Sequence, residues 1–147
     1  MPNYSLKSPE NNDEWERYLL FRWEVLRKPL GMAMDSLADS IEEESFDLMG
    51  VDKDGNVIAS GRVHFNSAHE AQIRYMAVDD NFKRQGIGSE IVNALEKYAL
   101  SKKANTMTLN ARENAISFYL SLGYSEVCPY QSDTGIPHKT MKKDLIV

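Results

Sequence analysis

The chain has 147 residues, 42% of them hydrophobic, which is the size of one domain and enough to fill one core. A net charge of −5 and a pI near 5.2 argue against a nucleic-acid binder, which carries a net basic face to neutralise phosphates, so any basic site must be local. The lone Cys128 cannot form an intramolecular disulfide, the start MPNYSLKSPE lacks a secretory pattern, and no apolar run approaches the roughly 20 residues that cross a bilayer; a cytoplasmic chain without a membrane partner is expected.

In chain order, a short strand near Tyr4–Leu6 precedes a helix in DEWERYLLFRWEVLRK, where Trp15, Tyr18, Leu19, Trp23 and Leu26 recur at helical spacing and Asp13 is placed to cap the start. Arg22 falls in the middle of that apolar wedge, and a charge there needs a partner. A second short helix is expected over Ala33 to Ser40. FDLMGVDKDGNVIASGRVHF reads as two strands joined at Asp54-Gly55-Asn56, and AQIRYMAV as a third. A helix from about Gln85 to Ser101, the strand TMTLN, a helix from Asn114 to Leu122 and closing strands around Tyr124–Tyr130 and His138–Leu145 complete a single mixed α/β domain over residues 1–147.

The stretch FKRQGIGSEIV, Phe82 to Val92, sets Gly86 and Gly88 at the start of an amphipathic helix. The first N–H groups of a helix have no partner within it and sit at the positive end of its dipole, so they bind anions. Glycine lets a phosphate come close, and Lys83 and Arg84 add charge beside it. Ile87, Ile91, Val92, Leu95 and Tyr98 share the face that anchors the helix. The Walker loop is excluded by its missing Gly-Lys-Ser/Thr ending, and the dinucleotide fingerprint by Ile91, which stands where a third glycine is required.

A second motif, NARENAISFYLSLGY from Asn110 to Tyr124, follows at a suitable distance, and with it the chain resembles the GNAT superfamily of N-acetyltransferases over roughly Gln72 to Val127. MAV and KRQGIG match the family's strand end and glycine turn, with Lys83 where Gln or Arg is usual; the tail GIPHKTMKKDL is similar to a bacterial branch of mostly unassigned substrate. The resemblance implies an α/β (α+β) fold with a mixed, mostly antiparallel split sheet flanked by helices, and acetyl-CoA as co-substrate without a metal. The pantetheine arm would lie against the backbone of Met76, Ala77 and Val78, with Asn114 on its other side. The pyrophosphate would lie on the N–H groups of Arg84, Gln85, Gly86, Ile87, Gly88 and Ser89.

Acetyl transfer to an amine needs a neutral nucleophile, a polarised carbonyl and a proton for the departing thiolate. The resemblance implies Tyr119 as the acid; a packing aromatic beside Phe118 is the structural alternative. The N–H near Val78 is available to the carbonyl. Some members carry a glutamate base where Gln72 stands, and an amide cannot take a proton. If the hairpin is symmetric about Ala68, His64 faces Gln72, making His64 a candidate base beside its rival His138. Arg22 either recognises an acceptor carboxylate or is a snorkelling arginine or one paired internally with a carboxylate such as Glu24, Asp35 or Glu43. The acidic run IEEES is read as a solvated face. Cys128 is expected to be a buried structural thiol. The leading reading is N-acetylation of a metabolite or peptide amine; the alternatives are an acyl-CoA-binding sensor or interaction module and an unrelated phosphate-binding domain. A homodimer through the closing strands is left open.

Overall fold

The computed structural model describes residues 3–33, 45–132 and 134–145; the helix expected from Ala33 to Ser40 and most of IEEES lie outside the described residues. Strands β1 (Tyr4–Lys7), β2 (Phe46–Asp52), β3 (Val57–Phe65), β4 (Glu70–Val78), β5 (Thr106–Arg112), β6 (Ser125–Gln131) and β7 (Pro137–Asp144) form one sheet in the order β1-β2-β3-β4-β5-β7-β6. Helices are α1 (Asn12–Leu26), α2 (Ile87–Ser101) and α3 (Ile116–Ser121). Only β4 and β5 pair in parallel, because α2 carries the chain back between them; every other neighbour is antiparallel.

Alternation along the strands separates two faces. A Cβ on Gly61 would point at Ile91 and Leu95, so this face packs on α2. Its neighbour Arg62 therefore points to the opposite face, as does Asp47, which lies directly across from it on β2. That face receives α1, whose buried side is Tyr18, Phe21 and Arg22.

Three details correct the sequence reading. Asn11, not Asp13, caps α1: its extended backbone lets Oδ1 accept the Glu14 N–H at 2.9 Å, while Asp13 in the first turn pairs with Arg17. Cys128 is exposed rather than buried, because β6 is the sheet's outer edge and is exposed along its length. Arg22 is 0% exposed, and its Nη1 lies 3.8 Å from Asp47 Oδ1, an internal ion pair with a carboxylate that the sequence reading does not name; Asp35 and Glu43 lie outside the described residues. Tyr18 donates to the same Oδ1 at 2.8 Å.

The β3–β4 ladder carries a bulge: the step from Ser60 to Arg62 faces the longer step from Ala77 to Arg74. Within it Tyr75 has φ 57°, a left-handed conformation that a bulky residue adopts only under constraint. The constraint is visible. Ser60 Oγ donates to the Tyr75 carbonyl at 2.7 Å, and the guanidinium carbons of Arg22, Arg62 and Arg74 lie 3.9, 4.8 and 4.7 Å from its ring centroid. Ser60→Ala leaves that carbonyl without its hydroxyl donor, and a loss of about 1–3 kcal/mol is expected. Urea unfolding should show a lower midpoint with an unchanged slope; an unchanged midpoint would separate the bulge from this hydrogen bond.

Candidate functional site

β4 and β5 pair only from Glu70–Thr106 to Ile73–Leu109. Beyond that point β4 runs on to Val78 and β5 to Arg112 without pairing to each other, and between them lies a groove of about 1560 Å³. The Asp79 N–H bonds the Ile58 carbonyl on β3, so alternation turns the backbone groups of Val78, one residue earlier, away from β3 toward the groove. Met76, Ala77 and Val78 all line it.

On the α2 face, Gly86 is the N-cap of α2 with φ 87°, and Arg84 also has positive φ at 66°. Alternation of hand through such a turn points successive N–H groups inward, a geometry suited to an anion. Among the described residues, the backbone N–H groups from Arg84 to Ser89 meet no acceptor, and the first helical bond is made by Glu90 to the Gly86 carbonyl. Open space surrounds a Cβ built on Gly86, so its glycine answers to backbone conformation, whereas a Cβ on Gly88 would lie 3.2 Å from the Phe118 ring of α3. The turn's glycines thus serve conformation and helix packing. Lys83 pairs with Asp80 at 2.9 Å; the Gln85 side chain turns back to the Asn81 carbonyl and does not line the groove.

Asn114 lines the opposite wall from the 3-10 turn that leads into α3. Tyr119 also reaches the groove but is 6% exposed, packed edge-on against Phe118 and Tyr124. Burial pushes its phenol well above the usual range, so it stays protonated.

The α1 face brings together His64, Gln72 and His138 at the same groove. His64 does pair across the hairpin with Gln72. Asn66 Nδ2 donates to Gln72 Oε1 at 3.0 Å and to Glu70 Oε2 at 3.1 Å, which leaves Asn66 Oδ1 to accept from His64 Nε2 at 3.1 Å. The His64 Nε2 proton is therefore engaged. His138 has the other tautomer: Nδ1 lies 2.7 Å from the Ile136 carbonyl, which can only accept, so Nδ1 holds the proton and Nε2 keeps a lone pair. Glu70 is no substitute base, because the Asn66 amide and Lys142 hold its carboxyl below the ordinary range. Arg22 does not line the groove, which removes the acceptor-contact role considered for it. Arg27, Arg74 and Arg112 do line it; their exposed-looking sequence contexts gave no periodic signal. Among the described residues, no three His, Cys, Asp or Glu side chains converge as metal ligands, and no helix is long and apolar enough to cross a membrane.

Residues 24–145 match the family model described as the acetyltransferase (GNAT) domain. The uncharacterized N-acetyltransferase YjcF of Bacillus subtilis is 28% identical over 136 residues, spanning 92% of this chain and 96% of the relative. Among solved structures, an acetyltransferase of the GNAT family from Staphylococcus aureus superposes with a TM-score of 0.82 at 13% identity, covering 97% of this chain and 99% of that one. An aminoglycoside 6'-N-acetyltransferase complexed with coenzyme A superposes with a TM-score of 0.77 at 17% identity, covering 98% and 97%. These structural likenesses establish the same split mixed sheet.

Gly86→Ala tests the turn directly. A Cβ there meets no atom, so the only cost is the left-handed conformation, about 1–2 kcal/mol. A Tm lowered by several degrees is expected; an unchanged Tm would mean that the turn relaxes without glycine.

Proposed function

The chain belongs to the GNAT acetyltransferase family, and from that premise we propose that it moves an acetyl group from acetyl-CoA to a primary amine of a small metabolite or peptide by direct transfer within a ternary complex. The observation that carries this reading is the row of N–H groups from Arg84 to Ser89 that meets no acceptor among the described residues, next to the length of β4 that does not pair with β5. The structural neighbour complexed with coenzyme A supports the same ligand class here.

Acetyl-CoA supplies an acetyl group already activated as a thioester. Its pyrophosphate is assigned to the N–H groups from Arg84 to Ser89 with the charges of Lys83 and Arg84 beside them. The arm is assigned to the backbone of Met76, Ala77 and Val78, as an added strand, and to Asn114. The Val78 N–H is the donor we assign to the carbonyl, and Tyr119, kept as a phenol by burial, is the proton donor to the leaving sulfur. His138 is our preferred base, because its Nε2 lone pair is left available, whereas His64 Nε2–H is committed to Asn66. Gln72 would orient the acceptor rather than deprotonate it. The lone exposed thiol fits a reducing, cytoplasmic setting. The exposed edge strand β6 is where we place a homodimer contact.

Titration calorimetry should show saturable binding of both acetyl-CoA and free CoA; no binding of either overturns the reading. Binding without turnover of any amine would favour an acyl-CoA-binding module, the role that Gln72 in place of a carboxylate would suit. Tyr119→Phe should lower kcat on the order of 100-fold while leaving acetyl-CoA affinity within a factor of a few. An unchanged kcat would reduce Tyr119 to packing. His138→Ala should lower kcat/KM on the order of 100-fold, whereas His64→Ala should leave it within a factor of a few; the reverse pattern transfers the role to His64.

A further inference from the structure

The α1 face of the groove concentrates positive charge that the acetyl-transfer chemistry does not use. Arg112 ends β5 directly opposite His138 on β7, so both side chains share one face at the groove. Its Nη2 reaches across to the last turn of α1 and donates to the Leu26 carbonyl at 3.1 Å. Arg27 Nη1 donates to that same carbonyl at 3.3 Å, so two guanidinium groups converge on one oxygen. Arg27 is buried and Arg112 partly buried, which weakens the screening that water gives to like charges at a surface. Burial draws the Arg112 guanidinium below its ordinary value.

No carboxylate among the described residues pairs with Arg112, whose side chain donates to the Leu26 carbonyl. Glu24 is exposed and lines the same groove without an ion pair to it. The other acidic lining residues, Asp79 and Asp80, lie beside the turn at the start of α2. A guanidinium with most of its planar donor set uncommitted, in a cleft wall beside the candidate base, is suited to a bidentate carboxylate.

We propose that Arg112 is a specificity residue that anchors a carboxylate of the acceptor, so that the substrates of this protein are amines that also carry an acid group. The inference rests on the acetyl-transfer reading above. It relocates acid recognition from Arg22, which is locked in the α1–sheet interface, to the end of β5. With its carboxylate on Arg112, such an acceptor presents its amine toward His138 and the split.

The test uses the full chain with acetyl-CoA and a series of ω-amino carboxylates from glycine to 6-aminohexanoate, each compared with its primary amide. At least one acid should be acetylated with kcat/KM roughly 10- to 100-fold above its amide, the range of one charge-assisted contact. Arg112→Gln should erase that preference through KM, with kcat and acetyl-CoA affinity little changed, and Arg112→Lys should restore part of it. Equal use of acids and amides, or a preference that survives Arg112→Gln, overturns the proposal. If no member is acetylated, glutarate titrated into the CoA-saturated protein decides: binding that weakens at least 10-fold in Arg112→Gln supports the anchor, and absent or unaltered binding overturns it. Failure of CoA itself to bind is a different result, which removes the acetyl-transfer reading and the inference with it.

Discussion

The parallel ladder between β4 and β5 stops at Ile73 and Leu109, and the groove exists because it stops there. A parallel pair would otherwise continue and close the space, since both strands run on past that point. What turns β4 aside is the extra residue that it carries relative to β3, concentrated at the left-handed Tyr75. A bulge bends its strand and increases local twist, so pairing retained with β3 is lost with β5. The unpaired edge and the lined cleft are two consequences of one backbone irregularity.

That irregularity is held from the α1 face by an unusual set of partners. Arg22 and Arg62 are both 0% exposed, and both lie over the Tyr75 ring, with Arg74 also against it. Burying a cation is expensive unless charge and hydrogen bonds compensate it, and removal of one partner then costs more than the pair is worth. Asp47 supplies a carboxylate that also accepts from Tyr18, tying α1 to β2 directly opposite Arg62, which borders the bulge. The guanidinium stack thus acts on backbone geometry, and the helix that covers the cleft's α1 side is positioned by the same residues.

Much of this was legible in the chain. Alternation and the Asp54-Gly55-Asn56 turn mark β2 and β3, and the glycine pair marks the start of α2, whose first residue is Ile87. The symmetric hairpin about Ala68 placed His64 opposite Gln72, and the register agrees. Helical periodicity identified Arg22 as anomalous but gave no means of distinguishing an arginine turned into a protein interface from one turned into a cleft. Its partner Asp47 is far away in sequence on another element, and the ring it stacks on depends on a bulge that no local pattern announces. Arg112 was missed for a related reason: it lies inside the second motif, yet its importance comes from the last turn of α1, a contact that spans 86 positions. Cys128 was misread because a strand sequence does not declare whether its strand is central or an edge.

The two faces of the sheet also divide the electrostatics. With a net charge of −5, the chain as a whole does not attract anions, so anion binding has to be built from short-range elements. On the α2 face those elements are backbone dipoles, which carry no net charge and need no counter-ion when the site is empty. On the α1 face they are guanidinium groups, which do need compensation, and the Leu26 carbonyl at the negative end of α1 supplies part of it to both Arg27 and Arg112. A carbonyl dipole offsets only a fraction of a buried unit charge. An incoming carboxylate would therefore complete the compensation of Arg112, and an amine without an acid group would gain nothing equivalent. Under the proposed reading, discrimination between acceptors arises from charges that the fold already holds close together, before any acceptor arrives.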